Sequence, residues 1–87
     1  MSQTIWKFML HPERDTKMPK GAVLIHAHGQ SQQICVWAVV DPDAPVVARR
    51  LMVYGTGHPC EEGGVYVGTA HIRGGSLVLH VFDFGEA

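Results

Sequence analysis

The sequence predicts an all-β domain: about six antiparallel strands in a meander, forming a small open barrel or sandwich, with at most one short helical turn. Three observations carry that expectation. Apolar residues recur with period two along most of the chain, as half-buried strands require. Gly, Pro and Asp clusters punctuate it at short intervals. No stretch carries an amphipathic helix of useful length. The 87 residues make a single domain, 1–87, because neither half would hold a core by itself.

The elements follow in order. Residues 4–10 open the chain as a strand rich in β-branched and aromatic side chains. Residues 11–19 hold two prolines and several charges and read as a connection. Gly21 introduces a strand over 22–28, and the polar turn 29–32 returns the chain into a strand over 33–40. Asp41-Pro42-Asp43-Ala44-Pro45 is a stop, since neither proline donates to a ladder. Asp43 is placed to cap one helical turn over 44–48. A strand resumes over 50–54. The longest irregular connection, residues 55–64, leads to strands over 65–72 and 76–84, joined at Arg73-Gly74-Gly75, where glycine permits the positive φ of a tight hairpin.

Seven Lys and Arg oppose eight Asp and Glu, a net charge of −1, so no basic stripe exists to neutralise duplex phosphates. Arg49 and Arg50 point to opposite faces of their strand and form no common patch. No run of apolar residues is long enough for a membrane helix. The polar amino terminus has no apolar signal segment, which points to a reducing, cytoplasmic setting with Cys35 and Cys60 as free thiols. At this size, association through a sheet edge into a homo-oligomer is expected.

The candidate ligand site is the loop after Tyr54, with Gly55, Thr56, Gly57 and His58. Two glycines allow consecutive N–H groups to form an anion-binding concavity, Thr56 adds a hydroxyl, and His58 a donor or acceptor. Tyr54 or Trp37 would give a flat face for stacking, and His80 completes the set if it meets them across strands. The loop lacks the Lys-Ser/Thr pair of a Walker motif. The plainer reading ranks ahead: the glycines turn a corner and His58 ties the loop down.

Other chemistry is weakly supported. His26 and His28 project from one strand face, and His71 or His80 would have to supply a third ligand, but no Cys pair or carboxylate stands at metal-ligand spacing. Neither metal nor cofactor is expected. Cys60, His58 and Glu61 crowd around Pro59, where a nucleophile, a base and an orienting group cannot align in series. Trp6 and Trp37 read as core anchors before binding aromatics.

Several spaced fragments run in order over nearly the whole chain: Ile5-Trp6-Lys7, Pro19-Lys20-Gly21-Ala22, Trp37-Ala38-Val39-Val40-Asp41-Pro42, Tyr54-Gly55-Thr56-Gly57-His58-Pro59, Tyr66-Val67-Gly68-Thr69 and His80-Val81-Phe82. Together they resemble a family of small, uncharacterised phage and prophage proteins. The resemblance implies a stand-alone cytoplasmic domain encoded among viral accessory genes, and brings no activity with it. By analogy, the expected function is non-enzymatic binding, either of a host or viral protein or of a small anionic, nucleotide-like metabolite. The alternatives are a minor virion component and a small metal-dependent or hydrolytic enzyme.

Overall fold

A computed structural model describes residues 2–87. Among the described residues, seven strands form two antiparallel sheets: β1 (Thr4–Met9), β2 (Thr16–Pro19), β3 (Val23–Gln30), β4 (Gln33–Val40), β5 (Val46–Gly55), β6 (Val65–Ile72) and β7 (Leu77–Glu86). One sheet has the order β1-β4-β3, the other β2-β5-β7-β6. The all-β expectation holds, as an open two-sheet sandwich. The hairpins β3–β4 and β6–β7 join sequence neighbours, whereas β1 reaches β4 and β5 reaches β7 across the intervening chain.

Three local features differ from the sequence expectation. The connection 11–19 contains β2, which runs antiparallel to the start of β5, with Met18 opposite Val47. Its proline sits at the end of an edge strand, where no ladder donor is lost. The helical turn expected over 44–48 is absent. Asp41, not Asp43, supplies the side-chain acceptor, taking the Asp43 N–H at 3.0 Å, and the chain enters β5 at Val46. Among the described residues, the one 3₁₀ turn lies at Arg73–Gly75. The β3–β4 turn is tighter than four residues: Ser31 and Gln32 both have positive φ, 52° and 64°, the twist that suits a two-residue hairpin. Gln32 Oε1 accepts the Arg73 N–H at 2.8 Å and ties the two hairpin turns together.

β4 furnishes the centre of the core. Ile34, Val36, Ala38 and Val40 are buried at period two and meet Leu51 and Val81 of the other sheet. Where β3 crosses β6 the backbones come very close, because both strands carry small residues there. A Cβ on Gly68 would lie 2.8 Å from Ala27 N, and one on Gly29 would strike the His71 carbonyl oxygen. Burial of so few large side chains gives a modest core. A polar clamp supplements it: Arg49 bonds Asp83 and the Ala22 carbonyl, and Glu86 accepts the Gly21 N–H at 2.7 Å. Among the described residues no helix is long and apolar enough to cross a membrane.

Candidate functional site

The outer face of the four-stranded sheet is built by register. Tyr54 of β5 lies opposite His80 of the central strand β7, and His80 lies opposite Thr69 of β6. One row further, Met52, Phe82 and Tyr66 align, and the rings of Tyr54 and Tyr66 meet Phe82 edge-on at 5.9 and 5.6 Å. A bulge at Val67 brings Tyr66 into that row.

His80 is held at both ring nitrogens. Nε2 lies 2.7 Å from Thr56 Oγ1 and Nδ1 lies 3.1 Å from Thr69 Oγ1, which is 2.5 Å from the Tyr66 hydroxyl. A neutral imidazole donates at one nitrogen and accepts at the other, and hydroxyls satisfy either role. The ring therefore has no unoccupied nitrogen for a metal or substrate while Thr56 and Thr69 stay in place. This is the arrangement of a positioned side chain.

The loop 55–64 folds back over this face. His58 donates its backbone N–H to the Gly55 carbonyl at 3.1 Å, closing a turn with Gly57 at φ 84°. The His58 ring stands over Gly55, so a Cβ there would lie 3.0 Å from Nδ1. Glu61 gives its amide to the Tyr54 hydroxyl at 3.3 Å and its carboxylate to Arg50, whose guanidinium lies 5.1 Å from the centre of the Phe84 ring. With its carboxylate on Arg50, Glu61 does not orient His58 towards Cys60. Gly64 packs on Phe82 and Phe84, where any side chain would collide.

The structure thus gathers Tyr54, Gly55, Thr56, Gly57, His58 and His80 at one end of the four-stranded sheet. Gly55, Thr56 and His58 open with Ser76, Leu77 and Val78 onto a shallow cleft of about 290 Å³. Neither Lys nor Arg lines it. Trp37 is not part of this group. It lies on the outer face of the three-stranded sheet, opposite Lys7 and His26, with its ring 5.6 Å from that of His26. Alternation along β4 sends Ile34, Val36 and Ala38 inwards and Trp37 to the far side.

His26 and His28 do share a face, with rings stacked at 6.0 Å, but His71 and His80 belong to the other sheet. Among the described residues no three His, Cys, Asp or Glu side chains come together as a metal-binding group. Cys35 is buried and Cys60 exposed, and both are free.

Two features went unseen in the sequence. Thr69 and Tyr66 complete the His80 chain; counted outward from Arg73-Gly74-Gly75 alone, Thr69 would face Leu79, but the turn also takes in Ser76, which sets Thr69 opposite His80, and the bulge brings in Tyr66. A second open cleft of about 390 Å³ lies between β1 and β2, lined by Phe8, Met9, His11, Arg14, Asp15, Thr16 and Lys17. It carries the fixed cations that the Gly55 cleft lacks, in a segment whose composition suggested only a linker.

No curated protein and no solved structure matches the chain. Residues 1–86 match the model of the family described as Domain of unknown function (DUF7352), and the chain belongs to that family.

Proposed function

We propose that the protein is a non-enzymatic binding module, an accessory protein of the phage type, that joins a host or viral polypeptide through the outer face of β1-β4-β3. One observation carries this reading. Ile5, Met9, Val23 and Ile25 are 57, 47, 58 and 47% exposed on that face, around the half-buried Trp37 and Val39. A contiguous apolar face with a tryptophan at its middle and Lys7 and His26 beside it has the make-up of a protein-binding patch. The His80 chain supports the absence of catalysis, because its groups satisfy one another.

A photo-crosslinking residue at Ile25, in cells that encode the protein, should capture a polypeptide that the same residue at Glu62 does not. Val23→Lys should abolish the adduct. Equal capture at both positions, or none at Ile25, overturns the reading.

A second reading is capture of a small anion. It draws on the cleft between β1 and β2, which Arg14 and Lys17 line together with Phe8 and Met9 and where, among the described residues, neither cation forms an ion pair. A nucleotide panel should then raise the melting temperature of the wild type and leave Arg14→Ala unmoved. No shift for the wild type removes this reading.

A further inference from the structure

Two sheets have four edges, and three of them are closed to pairing. β2 is four residues long, ends in Pro19 and projects Lys17. β3 is bulged at Ile25 and crosses β6, with Gly29 against the His71 carbonyl. β6 is bulged at Val67 and lies against β3 through Gly68. Short strands, prolines, charges, bulges and cover are how sheets protect their edges. β1 has none of these beyond a single lysine. Its six residues are unbulged and all are exposed except Phe8, which is partly buried.

The free hydrogen-bonding groups of β1 can be assigned. Leu10 N donates to Ile34 O at 2.9 Å, which continues the β1–β4 register and makes this an exchanging pair. By alternation, Phe8, Trp6 and Thr4 also bond to β4. Ile5, Lys7 and Met9 therefore turn their N–H and C=O groups away from the sheet. On the side facing the sandwich, Trp6 is still 39% exposed and touches Phe8 at 6.4 Å between centroids. A large aromatic residue at an inward position is only partly covered.

The geometry points to a second copy of this chain as the occupant of that edge, with the two β1 strands antiparallel about a two-fold axis at Trp6. An antiparallel edge is self-complementary, so one patch serves both subunits. Because the outward groups belong to odd-numbered residues, the axis must pass through a residue, and two positions of it give the longest overlap of the two strands. One sets Lys7 opposite Lys7, which repels. The other sets Trp6 opposite Trp6 and Lys7 opposite Ile5, so that Ile5 and Lys7 exchange hydrogen bonds and the two exposed indoles cover each other. The second register is the one assigned. It yields a continuous six-stranded sheet, β3-β4-β1 followed by its symmetry mate, and merges two apolar outer faces into one. A six-residue edge buries less than the roughly 800 Å² per partner of a standard interface, so micromolar association is expected.

The test does not depend on any outer-face partner. Sedimentation of the full chain should show a monomer–dimer equilibrium between about 1 µM and 1 mM. Ile5→Pro removes one outward N–H without touching the β4 ladder and should leave a folded monomer by circular dichroism. Should it fail to fold, Trp6→Lys keeps the ladder, sets like charges on the axis and should also be monomeric. In a Cys60→Ser background, Trp6→Cys should give a reducible dimer, since facing Cα atoms of a non-hydrogen-bonded pair lie about 4.5 Å apart, within disulfide reach. Thr4→Cys, set opposite Phe8, should not. A monomer at every concentration, or cross-linking through Lys7→Cys in place of Trp6→Cys, overturns the proposal.

Discussion

Arg49 holds Asp83 in a two-pronged grip, Nε to Oδ1 at 2.9 Å and Nη2 to Oδ2 at 2.7 Å, across the point where the β5–β7 register shifts. Both side chains keep little exposure, 12 and 13%. Asp83 Oδ1 also accepts the Gly85 N–H at 2.8 Å, and the third Arg49 nitrogen, Nη1, donates to the Ala22 carbonyl. The hydrogen bond to Asp83, assisted by the nearby charges of Asp83 and Glu86, outweighs burial and raises the Arg49 pKa above its ordinary value, so the pair keeps its guanidinium charged at any working pH.

Removing one partner strands the other in a half-dry site. Asp83→Ala should cost about 3 kcal/mol, towards the low end for buried pairs. For a chain this small, that lowers the melting temperature by roughly 12–24 °C. Urea denaturation of Arg49→Ala, Asp83→Ala and the double variant should give a coupling energy above about 1 kcal/mol. Additive losses would show that the grip contributes little.

The close crossing of β3 and β6 makes a second prediction. Gly68→Ala would set a methyl 2.8 Å from the Ala27 backbone nitrogen and 3.0 Å from its oxygen, atoms that cannot swing aside. Overpacking of this kind costs about 1–3 kcal/mol. Gly57→Ala is the contrast: its Cβ meets nothing within 4 Å, and only φ 84° opposes it, about 1 kcal/mol of strain. Thermal denaturation should rank Gly68→Ala as the more damaging of the two.

How much of this was legible follows from what each signal depends on. Period-two alternation exposes strands that have one wet and one dry face; β4 is legible instead as an apolar run, Ile34 to Val40, buried or half-buried on both faces. β2 is not legible because four residues ending in a proline are too few to show a period. Trp37 was grouped with Tyr54 on chemistry alone; pairing of β1 with β4 rather than with its sequence neighbour places it on a different sheet, and nothing local encodes that choice. The meeting of His80 with Thr56 and Tyr54 needs only the β5–β7 pairing, so these residues come together within one sheet.

The His80 chain predicts unequal effects from similar substitutions. Thr69→Val strips partners from both His80 Nδ1 and the Tyr66 hydroxyl in a partly buried place, and should cost about 1–2 kcal/mol. Thr56→Val frees Nε2 where water can reach it, and should cost about 0.5 kcal/mol while speeding amide exchange in residues 55–64. Denaturation and hydrogen-exchange mass spectrometry separate the two. If Thr56→Val proves the costlier change, the loop contributes more to the fold than its exposure implies.

The two thiols should report on the outer face of the three-stranded sheet. Cys60 is exposed and should take up one equivalent of iodoacetamide in the folded protein. Cys35 points to the outside of β4, yet it is only 3% exposed, because Met9 and His28 stand opposite it in the neighbouring strands. Its alkylation should wait for unfolding in the wild type. Met9→Ala leaves the β1 backbone in place while opening one side of the sulfur, so native-state labelling of Cys35 should accelerate at least about tenfold, with a melting temperature close to wild type. Peptide mapping after timed labelling gives both rates. Rapid modification of Cys35 in the wild type would mean that β1 does not stay on β4, and the free edge with its exposed Trp6 would have to be redrawn.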